Sequence, residues 1–323
     1  MPRPPPALPA VPETSRFVAG ALCGVATIAI WAGWLVMMRL GITTTLAVVD
    51  LTALRFAVAG LLLLPVVARR GLALDRLGWP GFLAIAIGNG APYALVVGAG
   101  LMFAPVAHAS AYTQGVLPLT VAILAGIFLK ERLSPVRKAG LILIVGGALA
   151  IGGIGLLDVG GRQSIGHLLF LAATVLFASY TVAMRRAGLD GLHAAAIAAV
   201  ASLFVYLPIY LVLFGGRILA APLADIAWQA FYQGVLVAVV SLVLYGRAVM
   251  LLGASSAGSF IALGPVLAAL LAIPTLGEWP KPVDWLGIVV ITVGVYLASG
   301  GPLPASGGAL AALRISRRPA RPP

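Results

Sequence analysis

Apolar stretches of about twenty residues alternate with short polar breaks along nearly the whole chain. They fall at about 17–38, 46–68, 79–101, 106–129, 137–157, 164–184, 191–214, 228–250, 255–276 and 283–300. Each is long enough to cross a hydrocarbon core roughly 30 Å thick. Backbone in lipid must satisfy its own hydrogen bonds, so these stretches are predicted to be helices. The short alternating segments of a membrane β-barrel are not visible.

The pattern repeats. Thr27, Arg39 and Gly41 return 147 residues later as Thr174, Arg186 and Gly188. Pro118, Leu124 and Glu131 return as Pro265, Leu271 and Glu278, and Pro135, Gly140 and Gly147 as Pro282, Gly287 and Gly294. Ten spans then divide into two units of five, at 17–157 and 164–300. Five crossings leave the chain on the opposite side of the membrane, so the second unit enters upside down. The predicted fold is all-α: a polytopic membrane protein of ten transmembrane helices built as two inverted five-helix repeats. A Pro-rich, disordered tail at 1–16 precedes it and a basic cytoplasmic tail at 301–323 follows.

Composition agrees. Charged residues make up 9% of the chain, against about 25% in a soluble domain. The net charge of +12 does not point to nucleic acid, because the basic residues sit between spans and in the tails. With both termini in the cytoplasm, fifteen basic residues lie inside and four outside (Arg39, Arg162, Arg217 and Lys281). This excess predicts an N-in, C-in orientation. Arginine-rich, alanine-rich usage points to a bacterial cytoplasmic membrane. Cys23 stands alone, which excludes an intramolecular disulfide; no metal and no cofactor are expected.

Several short motifs carry a family resemblance: Trp31-Ala32-Gly33 in span one, Leu54-Arg55-Phe56 in span two, and Pro118 followed by Glu131-Arg132-Leu133-Ser134-Pro135 and Gly140. Pro265, Gly277-Glu278, Pro282 and Gly287 echo them in the second half. In order and layout the chain resembles the drug/metabolite transporter superfamily, EamA type, over residues 17–300. The resemblance implies a secondary transporter, often an exporter of amino acids, related metabolites or drugs. Lys130 stands where that family often has glycine.

Polar groups in hydrocarbon are costly, so they are the best pointers to a substrate pathway. Span three is interrupted by Gly88-Asn89-Gly90-Ala91-Pro92-Tyr93, and Pro92 deprives Gly88 of a helical hydrogen bond. Asn89 and Tyr93 stand four apart, as do His108 and Tyr112 in span four; Ser255 and Ser259 are their counterparts of span nine. Trp31 lies on a face of span one with Thr27, Trp34 and Met38. Arg55, well inside span two, either attracts an anionic substrate, pairs with Asp50 or snorkels outward. The candidate pathway is therefore Trp31, Arg55, Asn89, Tyr93, His108, Tyr112, Ser255 and Ser259. Each has a plainer reading as helix packing.

Gln229 and Gln233 line either an outer vestibule or an interface. Glu131 and Glu278, at span ends, are read as loop anchors pairing with nearby bases. Acids are absent from the span middles, and His108, His167 and His193 are far apart in span order, so no His/Asp/Glu group is expected. Gly146, Gly147 and Gly294 predict close packing of spans five and ten, or a homodimer face. The function read from these features is alternating-access export of a small organic metabolite, an amino acid or related compound. Multidrug or drug efflux is the alternative, and an intramembrane lipid-modifying enzyme a remote one.

Overall fold

The computed structural model describes residues 13–131, 133–157 and 161–299; the side chains of 13–15, 153–157, 254 and 255 lie outside that description. Both tails, 1–12 and 301–323, fall outside it as well. Ten helical spans run in sequence. They are α1 (Glu13–Thr43), α2 (Val48–Arg70), α3 (Leu74–Leu101), α4 (Val106–Phe128) and α5 (Pro135–Leu157), then α6 (Arg162–Arg186), α7 (Gly191–Phe214), α8 (Leu223–Leu252), α9 (Ser256–Leu276) and α10 (Pro282–Ala298). Among the described residues, nine segments are long and apolar enough to cross a membrane, and α10 is a shorter apolar helix. At 17 residues, α10 sits at the lower end of spanning length. The predicted all-helical, two-repeat membrane architecture is what the structure has.

Local signals set the helix ends. Asp50 accepts the Ala47 amide at 2.8 Å and starts α2. Asp190 accepts the His193 amide at 2.9 Å and starts α7. Pro282 opens α10, where Asp284 accepts the Lys281 amide at 2.8 Å. Gly277, with φ +68, ends α9 in the left-handed region. Its repeat mate is Lys130, which takes φ +55 there. Outward faces carry exposed apolar side chains such as Leu61, Ile142, Val212 and Leu270, as a lipid-facing surface requires.

The two units interlock. The helix α1 packs on α8 and α9 of the other unit, and α6 packs on α3 and α4. A shift of five helices maps one set onto the other. The pair α5 and α10 lies closest. A Cβ added at Gly294 would stand 2.7 Å from the Gly140 carbonyl oxygen, and one at Gly147 would stand 2.8 Å from that of Gly287. These contacts run antiparallel, and the 147-residue offset exchanges them. A pseudo-twofold relation between inverted units does the same. Gly146 has open space around it.

Helix irregularities follow the repeat too. The ladder of α3 breaks at Asn89–Gly90, and the matching part of α8 lies in a π-helix, Ala230–Val240. In α4 a π-turn at Ala111–Gly115 matches a 3-10 turn at Phe260–Leu263 in α9. Four non-ideal helices are thus brought inside one bundle. Interrupted helices near the middle of a membrane bundle are where transporters expose polar backbone.

Candidate functional site

The predicted pathway residues do not form one site. Arg55 and Tyr93 meet at the interface between the units. Arg55 is 8% exposed, and its guanidinium lies 4.7 Å from the Trp34 ring centre and 5.4 Å from that of Phe56. It neither pairs with Asp50 nor reaches an interface. Asp50 is engaged by the Tyr210 hydroxyl at 2.7 Å and by Arg217 at 3.5 Å. Arg55 Nη1 is buried with no hydrogen-bond partner among the described residues. Tyr93 stacks on Trp34 at 5.8 Å and meets Phe177 of α6 at 5.3 Å. The Trp34 indole donates to Gln233 Oε1 at 3.0 Å, Gln233 donates to Gln229 at 3.1 Å, and Gln229 donates to the Met37 carbonyl at 2.8 Å. The cation thus lies against the rings of Trp34 and Phe56, and Trp34 is itself held by the Tyr93 ring and by the Gln233–Gln229 amides.

Magnitudes say what such a cation lacks. Arginine at a helix centre costs about 2.5–3.5 kcal/mol on insertion scales. A desolvated cation–π contact returns about 2 kcal/mol. Buried charges are ordinarily paired. An anionic group on Nη1 would supply the missing partner.

The other predicted residues go elsewhere. The break in α3 separates Asn89 from Tyr93, so the expected shared face is lost: Asn89 hydrogen-bonds Tyr180 of α6. Ser202 of α7 accepts the Ala91 amide at 2.9 Å and caps the second half of α3. Trp31 donates to Ser241 at 2.9 Å and meets Tyr245 at 5.7 Å, facing α8 away from the Trp34 contacts. Ser259 donates to the Ser256 carbonyl at 2.7 Å, a bond internal to its own turn. The Ser255 side chain lies outside the described residues.

His108 and Tyr112 belong to a second cluster, and here the fold corrects an expectation. The histidines and acids were expected to form no group. Instead, His108 Nδ1 lies 2.9 Å from His167 Nε2, and His108 Nε2 lies 3.2 Å from Asp284 Oδ1. That second contact is within ion-pair distance but off the line of a good hydrogen bond, and Nε2 counts as unpartnered. Span order misled because α4, α6 and α10 begin on the same face of the bundle. Each contributes a residue from its first turns. Tyr112 stacks on His167 at 5.0 Å, and its hydroxyl donates to the Ala148 carbonyl at 3.2 Å. A cavity of about 400 Å³ adjoins the cluster, lined also by Arg162, Glu278 and Lys281. His193 stays apart, with Nε2 2.9 Å from the Gly71 carbonyl.

The loop acids pair across the units. Glu278 accepts from Arg39 at 2.9 Å and from the Val106 amide at 2.8 Å, and Arg39 also donates to the Leu101 carbonyl. On the opposite face Glu131 pairs with Arg185. Glu131 and Glu278 are repeat mates, and Arg185 neighbours the mate of Arg39.

Sequence reasoning named Gln233 as a vestibule or interface residue and His167 as an isolated histidine, and it passed over Phe177 and Asp284. A glutamine inside an apolar span was the one available signal for Gln233. Nothing local marks the meeting of Phe177 with Tyr93 or of His108 with His167 and Asp284, because these partners come from distant spans.

Comparison with known proteins places these features in a family. The profile of the EamA-like transporter family matches residues 18–153 and again 164–300, one match per repeat. A probable terminal-alkyne amino-acid exporter of Streptantibioticus cattleyicolor is 28% identical over 279 residues, covering 84% of this chain and 91% of that protein. A crystal structure described only as that of a protein aligns with a TM-score of 0.50 at 21% identity. It covers 87% of this chain and 97% of that one, a likeness of fold alone.

Proposed function

The chain belongs to the EamA-like transporter family, and from that premise we propose that it exports a small carboxylate-bearing metabolite, an amino acid or close relative, by alternating access. The observation that carries this reading is Arg55: a buried guanidinium at the interface of the units, walled by Trp34, Phe56 and Tyr93, with Nη1 unpartnered. A substrate carboxylate would complete it by a charge-assisted hydrogen bond. The aromatic walls suit a compact apolar side chain and, through their faces, an α-ammonium. Cationic drugs would meet Arg55 as a like charge. The relative's name, a probable exporter of terminal-alkyne amino acids, agrees with a carboxylate-bearing cargo.

The paired loop acids support the alternating step. One repeat-related ion pair stands on each face, each joining the two units: Arg39–Glu278 on one side and Arg185–Glu131 on the other. Opening toward either side requires breaking one pair while the other holds. Both termini face the cytoplasm of a bacterial inner membrane in this reading, which places Arg39–Glu278 at the outer gate.

The test is counterflow in proteoliposomes. Vesicles loaded with a panel of amino acids, including an alkyne-bearing one, should take up the labelled amino acid. The corresponding amine, lacking the carboxylate, should not enter. Equal entry of the amine, or no counterflow of any amino acid, would overturn the proposal.

A further inference from the structure

The His108–His167–Asp284 cluster has no role in the Arg55 site, and the capping of α10 by Asp284 accounts for neither imidazole. The repeat offset carries the three positions to Ser255, Gly20 and Arg137. No titratable pair stands at the matching place on the other face, so the cluster is particular to one gate. His108 is 4% exposed, His167 0% and Asp284 5%. His167 Nδ1 is buried without a partner among the described residues. Two hydrogen-bonded imidazoles with a carboxylate at ion-pair distance, buried beside a cavity, form a proton-binding arrangement. Histidine is the side chain that ordinarily titrates between about pH 5 and 8. A metal is poorly served: the donors lie in a line, and no group of three such donors is placed to hold an ion among the described residues.

We propose that His108, His167 and Asp284 form a one-proton site whose occupancy seals the gate on their face of the membrane. With both imidazoles neutral, His167 Nε2–H donates to His108 Nδ1, and His108 Nε2–H faces Asp284. The buried cluster then carries one net negative charge. An incoming proton binds the free lone pair of His167 Nδ1, and the shared proton crosses from His167 Nε2 to His108 Nδ1. One N–H bond forms at His167 Nδ1, one breaks at His167 Nε2 and one forms at His108. His108 becomes an imidazolium beside the Asp284 carboxylate, and the net charge falls to zero. Burial favours the neutral cluster, because an uncompensated charge is costly out of water.

Arg162, Lys281 and Glu278 line the adjoining cavity and are the charged groups that face the cluster. From α4, Tyr112 presents only its ring face to His167. The link to the gate is short. Glu278 holds the Val106 amide at the start of α4, two residues before His108, while Asp284 lies at the start of α10. Protonation draws α4 and α10 together next to the Arg39–Glu278 pair. Deprotonation loosens them. This consequence rests on the transporter reading, but the proton site itself does not.

Two measurements test it without a known substrate. The first is titration of imidazole ¹⁵N resonances of the full chain in lipid, with His193 as internal reference and reporter of folding. His108 and His167 should move together through one step, and Asp284→Asn should shift that step to lower pH. Independent titration of the two rings, or a step unmoved by Asp284→Asn, would overturn the site. The second is thiol labelling at Ala150→Cys in the cavity, in a Cys23→Ala background, normalised to an exposed Leu219→Cys. Labelling should slow as the pH on that face falls. It should lose that dependence in both Asp284→Asn and His167→Gln. A pH dependence that survives in the variants would overturn the gate role.

Discussion

Arg55 has a buried, unpartnered Nη1 and Lys130 a left-handed backbone, and each makes a prediction. Truncating one member of a buried, hydrogen-bonded charge pair costs about 2–5 kcal/mol. If a substrate carboxylate is the partner of Arg55, Arg55→Gln should weaken apparent affinity for amino acids in counterflow by at least about 30-fold. Unchanged affinity would remove the carboxylate from this site. Lys130 occupies the left-handed region at φ +55, where its repeat mate is Gly277 at φ +68. Its departure from glycine is thus a residue held at a conformation that suits glycine. Lys130→Gly should raise stability by about 1 kcal/mol, read as a higher midpoint in thermal denaturation. The oddity of Lys130 was legible in the sequence. The isolation of Arg55 was not, since its neighbours Trp34 and Tyr93 come from other helices.

Among the helices, α5 and α10 depend on glycine. Gly294→Ala places a methyl 2.7 Å from the Gly140 carbonyl oxygen and 2.9 Å from Ile144. This overpacking should cost about 1–3 kcal/mol. Gly146→Ala meets open space and should be neutral or slightly stabilising, since alanine is the better helix former by about 1 kcal/mol. Equal effects of the two in a detergent-melting assay would refute the assigned packing face. The spacing of glycines announced a close helix pair, yet only the packing told Gly147 from its neighbour Gly146. The start of α7 offers a pH test. Burial opposes the Asp190 charge, but the His193 amide and Arg70 outweigh it and hold the carboxyl below the usual carboxylate range. A lowered folded value means that the cap's contribution is full above the ordinary carboxylate range and is lost as pH falls through the lowered value. Asp190→Ala should therefore destabilise by about 1 kcal/mol at neutral pH. The difference from the parent chain should shrink in acid, as followed by denaturation midpoints.

For the whole molecule the prediction concerns the two faces. In a Cys23→Ala background, Arg39→Cys with Glu278→Cys, and separately Glu131→Cys with Arg185→Cys, should each accept a short bifunctional thiol cross-linker. Either cross-link should stop transport, and a reducible linker should restore it on cleavage. Transport that continues in fully cross-linked protein would refute paired gates. The sequence by itself determined the scaffold: ten helices, the repeat and its inversion. Span length, hydropathy and an odd number of crossings are properties of the chain taken in order, and lipid leaves the backbone few other options. Only the tertiary structure decided which polar residues meet. Arg55 lies against Trp34 and Tyr93 of neighbouring helices, and His108 joins His167, 59 residues away, and Asp284, farther still. The repeat could not foretell these meetings, because Arg55, His167 and Asp284 return as Ser202, Gly20 and Arg137. Helix rotation and the break in α3 set which faces turn inward, and both are products of packing between units that no single segment encodes.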